Sequence, residues 1–107
     1  MSDRELLELA AKAAGIKLRW WDNSRNGLRV CNDTGSVCKR LHWNPIEDDR
    51  DALRLAVKLG LSVRIATKAG FTWVNGFEGS TPHGNDPYAA TRRAITRAAA
   101  EIGKVMP

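Results

Sequence analysis

The chain has 107 residues, 43% of them hydrophobic and 27% charged, a balance that specifies one globular domain over residues 1–107 and excludes a disordered polypeptide. Its 17 Lys and Arg against 12 Asp and Glu leave a net charge of +5, which admits nucleic acid or an acidic protein as partner without choosing between them. No apolar run approaches the roughly 18 residues of a membrane span, and MSDRELLELAAKAAG interleaves charge with its apolar residues, unlike a signal peptide, so a cytoplasmic location is expected.

The first helix is expected over Asp3 to Ala14. Ser2 can cap it with Glu5 three residues later, and Gly15 stands where a left-handed stop is wanted. Leu6, Leu9, Ala10 and Ala13 recur at helical spacing and define its core face, with Arg4, Glu8 and Lys12 opposite.

Two strands follow, in which Ile16, Leu18 and Trp20 alternate with Lys17, Arg19 and Trp21, and Leu28 and Val30 with Arg29 and Cys31. A two-residue Asn26-Gly27 turn would put Leu18 and Trp20 on the face of Arg29 and Cys31. A three-residue Arg25-Asn26-Gly27 loop instead pairs Ser24 with Leu28 and Asp22 with Val30, and brings the apolar positions to one side. A tight turn at Thr34-Gly35 would then pair Cys31 with Cys38 and lead into a third strand, about Val37 to His42, with Val37 and Leu41 inward and Cys38, Arg40 and His42 outward.

Pro45 suits the first turn of a second helix, and Glu47, Asp48, Asp49 and Asp51 crowd the positive end of its dipole. Ala52, Leu53, Leu55, Ala56, Val57 and Leu59 form its broad apolar face before Gly60 ends it. Leu61, Val63 and Ile65 then alternate with Ser62, Arg64 and Ala66, and a Lys68-Ala69-Gly70 loop places Ile65 opposite Trp73 on the inner side. GFEGSTPHGN reads as the longest loop. Asp86-Pro87 opens a third helix with Tyr88, Thr91, Ile95, Ala98 and Ile102 on one face, Arg92, Arg93, Thr96, Arg97 and Glu101 on the other, and Gly103 as its stop. The expected fold is α+β, a mainly antiparallel sheet with three helices in the order α-β-β-β-α-β-β-α.

The short N-terminal helix, the Trp43-Asn44-Pro45 step, the acid-led helix near Asp49-Arg50-Asp51-Ala52, the strand residue Trp73 and the closing Pro87-Tyr88-Ala89-Ala90-Thr91-Arg92-Arg93-Ala94-Ile95 together resemble the phage ABA-sandwich domain family of small phage and prophage proteins. The resemblance spans nearly the whole chain. It implies a phage or prophage source and sheet faces covered by helices, and it brings no catalytic residue and no established activity.

Cys31, Cys38, His42 and His83 are the residue types of a zinc site, but their spacing lacks paired C-x-x-C steps, and two free thiols in a reducing cytosol are expected, with a Cys31–Cys38 cross-strand disulfide only under oxidant. The acids Glu47, Asp48, Asp49 and Asp51 have the chemistry of a magnesium or general-base site, yet they lie where a helix N-terminus wants negative charge. No nucleophile elbow, phosphate-cradling loop or H-E-x-x-H pair occurs. No cofactor, no metal and no enzymatic activity are therefore expected.

Trp20 and Trp73 read as core and Trp43 as a lid on the second helix, whereas Trp21 falls on an outward face with Lys17, Arg19, Arg29, Arg40, His42 and Arg64. Cations around an aromatic ring can hold phosphates and stack a base. Arg92, Arg93 and Arg97 offer a second basic face on the third helix, which reads as solvated with an Arg97–Glu101 pair. The function expected from the whole is a phage-encoded accessory protein, monomer or homodimer, that binds a host or phage macromolecule and inhibits a host process. The alternatives are a sequence-tolerant nucleic-acid binder and a metal-dependent hydrolase using the acids.

Overall fold

The computed structural model describes residues 2–22, 27–31, 40–75 and 80–107, with 17–22, 27–31 and 40–42 described as backbone and strand register. Helix α1 is Asp3–Ala14, where Ser2 Oγ accepts from the Glu5 N–H at 3.2 Å. Gly15, at φ 72°, lets Gly15 and Ile16 donate back to the carbonyls of Lys12 and Ala11, closing the last turn. Strands β1 (Lys17–Asp22), β2 (Gly27–Cys31) and β3 (Arg40–Trp43) form an antiparallel meander. Helix α2 (Asp49–Leu59) follows, then a second meander of β4 (Val63–Ala66), β5 (Phe71–Val74) and β6 (Ser80–Pro82), then helix α3 (Pro87–Val105).

The class is α+β with three helices, as the sequence implies, but the order is α-β-β-β-α-β-β-β-α and the strands fall into two three-stranded sheets. The added strand is β6, inside the stretch that reads as a loop. Three residues, Ser80, Thr81 and Pro82, are too few and too polar to show alternation, and a proline is tolerated there because β6 is an edge strand. Each meander leads into a helix whose N-cap is an aspartate, Asp48 or Asp86, and each cap side chain accepts from two backbone N–H groups.

Strand registers depart from the sequence expectation. In the first hairpin Trp21 pairs with Leu28 and Trp20 with Arg29, and a bulge lies between Leu18 and Trp20, so the loop is longer than the expected Arg25-Asn26-Gly27. In the second, Cys31 pairs with Arg40 rather than Cys38. The expected turn at Thr34-Gly35, the inward Val37 and the Cys38 thiol lie outside the described residues. The β4–β5 connection is Thr67–Gly70, one residue longer than expected, with Gly70 at φ 78° and its N–H donating to the Ala66 carbonyl at 2.8 Å. That one residue exchanges the faces of β5. Trp73 pairs with Arg64 instead of Ile65 and lies on the outer side with Phe71, while Thr72 and Val74 point to the core.

Helix α3 is the spine. Asp3 meets Arg93, Leu9 meets Gly103 and Lys12 meets the Met106 carbonyl, a rising sequence of contacts that runs α1 and α3 in the same direction. Leu6, Leu7, Ala10, Ala11 and Ala14 of α1 are buried with Ala94, Ala98, Ala99 and Ala100 of α3. Small side chains allow the two backbones to approach closely. Gly103 does not stop α3; the helix runs on to Val105, and a Cβ at Gly103 would lie 2.1 Å from the Leu9 carbonyl oxygen. Thr96, read as exposed, is fully buried, its hydroxyl donating to the Arg92 carbonyl at 2.8 Å.

A polar pin joins the second sheet to α3. Thr72 Oγ1 lies 2.6 Å from His83 Nε2 and 2.9 Å from Thr91 Oγ1, and the His83 N–H donates to the Gly70 carbonyl. Thr72 is 1% exposed, so these bonds satisfy groups that water cannot reach.

Gly103→Ala should lower stability by about 1–3 kcal/mol in urea denaturation, the range for forcing atoms into a packed interior. Helix propensity alone would raise it by about 1 kcal/mol, so the sign of the change reports the contact. Thr72→Val, which keeps the shape and deletes the hydroxyl, should cost about 1–3 kcal/mol by stranding His83 Nε2, whereas Thr72→Ser should stay near wild type.

Candidate binding groove

Three of the four acids, Asp48, Asp49 and Asp51, are engaged within the fold. Asp48 Oδ1 accepts from the Arg50 and Asp51 N–H groups at 2.8 and 3.1 Å, and Asp51 Oδ2 accepts from the Asn44 N–H at 2.9 Å. Asp49 pairs with Arg92 at 2.7 Å. Buried Asn44 folds the approach to α2, its Oδ1 accepting from the N–H groups of Ile46 and Glu47. Pro45 therefore sits in the turn that precedes the cap rather than in the first turn of α2. Trp43 and Ile46 belong to the core.

Among the described residues no three of the types His, Cys, Asp and Glu converge as a metal site would require. His83 is bound to Thr72, and His42 is the register partner of Arg29.

The expected Arg-Trp face is divided by the topology. Lys17, Arg19, Trp21, Arg29 and Arg40 belong to β1–β3, whereas Arg64 belongs to β4 of the other sheet. Within the first sheet, Trp21 shares its register row with Leu28 and with Trp43, a buried residue, while Trp20 occupies the row of Arg29 and His42. The tryptophan that accompanies the arginine row is thus Trp20, because the bulge at Arg19 and the longer loop shift the pairing. Arg64 lies on the outer side of the second sheet, with its guanidinium carbon 5.7 Å from the Trp73 ring centroid and Phe71 5.9 Å from Trp73 between centroids.

Two of the three arginines of the basic face expected on α3 are engaged within the fold. Arg92 donates from Nε to the Ile46 carbonyl at 2.8 Å and from Nη1 to Asp49, which ties α3 to the start of α2. Arg93 makes a forked contact with Asp3 at 3.0 and 3.4 Å and ties α3 to α1. Arg97 is half-buried, and Glu101 pairs with Lys104 at 3.6 Å rather than with Arg97.

The feature that sequence reasoning passes over is a groove of about 390 Å³ between α2, β4 and α3. Ala52, Leu53 and Ala56 form one wall, Val63 and Ile65 the roof, and Tyr88, Thr91 and Ile95 the other wall. Around it, Leu53 is 64% exposed, Ile65 54% and Tyr88 71%, and Val57, one turn beyond Leu53, is 73% exposed. Three large, exposed side chains lining one concavity, with Val57 on the adjoining turn of α2, form an apolar patch of the kind that marks interaction sites. Of the polar groups at its edge, Arg92 is paired with Asp49 and Thr91 with Thr72. A signal for this site does exist in the sequence. The apolar positions of α2 cover an arc of about 200° at 100° per residue, wider than the stripe of about 100° that one packing surface needs.

Among the described residues no helix is long and apolar enough to cross a membrane. No protein-family model matches the chain, and comparisons with curated proteins and with solved structures return no match.

Proposed function

We propose that the protein is a non-catalytic binding module that engages a host or phage protein through the groove between α2, β4 and α3. The observation that carries this reading is the set of Leu53, Ile65 and Tyr88, exposed together around a concave apolar surface, with exposed Val57 one helical turn beyond Leu53. Such a surface gains free energy by being covered, at about 25 cal/mol for each Å² of apolar area removed from water. The phage context and a cytoplasmic site of action rest on the resemblance in the sequence to the phage ABA-sandwich domain family.

A second reading, single-stranded nucleic-acid binding, is favoured by the outer face of the second sheet, where Phe71 and Trp73 stand partly exposed beside Arg64. Aromatic rings flanked by cations are platforms on which bases stack. The groove reading ranks first because its apolar surface is larger and more exposed.

The test places a photo-crosslinking residue at Val57 and captures partners from a lysate of the bacterium that expresses the protein. A specific protein adduct should form and fall at least about tenfold, or ~1.4 kcal/mol, with Leu53→Glu. That variant should keep its stability within about 0.5 kcal/mol because Leu53 is exposed. Loss of the adduct without loss of fold supports the groove. Saturable, salt-sensitive binding of a 20-nucleotide DNA or RNA that disappears in Arg64→Ala/Trp73→Ala, with no adduct at Val57, would replace it with the second reading.

A further inference from the structure

Among the described residues the second sheet ends at β4, on the side of α2. Strands β5 and β6 pack on α3, and β4 forms the sheet edge on the side of α2, with the groove between β4 and α2. Neighbouring strands lie about 4.8 Å apart and packed helices about 8–10 Å apart. A strand added beyond β4 is therefore two positions from β5, about the usual spacing of two packed helices. It would lie over α2 as β5 lies over α3, on top of Leu53 and Val57.

Resting on the groove reading above, we infer that β4 accepts an added strand from an acidic partner protein, whose apolar side chains alternate into the groove over Leu53, Val57 and Ile65. Three features support this occupant. The outer edge of β4 has no strand partner among the described residues, and only an extended segment can bond its backbone groups in ladder fashion. Val63 and Ile65, alternate residues of β4, already line the groove, so an added strand in register would place its own alternate residues beside them. Finally, Arg50, Arg54 and Lys58 form an exposed i, i+4 stripe next to the Leu53–Val57 stripe, and Arg64 lies on the opposite face of β4. Acidic residues on the added strand therefore meet positive charge on its outer face and at its far rim. A second copy of this chain would oppose the same cationic stripe with its own, which disfavours pairing of β4 with β4.

The probe is a fluorescein-labelled decapeptide alternating Leu and Glu, compared with a Leu/Lys version and a scrambled Leu/Glu version, with hydrogen exchange followed over residues 63–66. The alternating acidic peptide should bind at least tenfold more tightly than either control. It should slow exchange of the β4 amides not bonded to β5, and it should lose at least tenfold in affinity with Leu53→Glu. Binding without protection of β4 overturns strand addition and leaves the groove reading intact, as does failure of the peptide alongside a Val57 adduct. Equal affinity for the Leu/Lys peptide overturns the acidic partner. A dimer that Leu53→Glu dissociates would assign the edge to a second copy, and displacement of the peptide by an oligonucleotide would assign the face to nucleic acid.

Discussion

The close parallel contact of α1 with α3 is the constraint from which the remaining geometry follows. It requires a residue without a side chain where α3 crosses the Leu9 carbonyl, and a run of alanines on both sides of the seam. With α1 occupying one side of the spine, the other side is left to α2 and to the second sheet. Two of the three arginines of α3 are then divided between its neighbours, Arg93 holding the first turn of α1 and Arg92 holding the first turn of α2. Charges that look available for an external partner are cross-ties of the helical layer, and Arg92 in particular fixes the end of the groove.

The groove arises from a mismatch in width between layers. Two helices lie side by side, but among the described residues the second sheet packs on α3 and leaves the groove beside α2. The apolar face of α2 therefore satisfies two demands: Ala52, Leu55 and Ala56 fill the core, while Leu53 and Val57 stay in water. Leaving such a patch uncovered is unfavourable for solubility, and exposed apolar patches are in general characteristic of interaction surfaces.

The helix boundaries were legible because the signals that end a helix are local. Ser2, the Asp86-Pro87 pair and the left-handed glycines Gly15 and Gly60 all act within one turn of their own position and cap their helices as their chemistry implies, whereas α2 begins at Asp49, beyond the Pro45 turn expected to open it. Strand pairing was less legible, since it depends on counting loop residues, and Asn-Gly or Ala-Gly tolerates loops of several lengths. Gly103 misleads for a related reason. A glycine near the end of a helical pattern is equally the mark of a stop and of a close crossing, and only the neighbouring helix distinguishes them. The groove could not be read residue by residue, because exposure of Leu53 is a property of what fails to cover it. The polar pin was hidden because Thr72, His83 and Thr91 come from three separate segments.

The Thr67–Gly70 turn has a consequence for how the exterior of this protein can change. Side chains on a strand alternate strictly, so the parity of the loop determines whether Phe71 and Trp73 or Thr72 and Val74 face solvent. No substitution within β5 can exchange those sets, but the gain or loss of one loop residue can. An aromatic exterior on this hairpin is thus encoded in a length, and it would be acquired or abandoned in a single insertion or deletion rather than by gradual replacement.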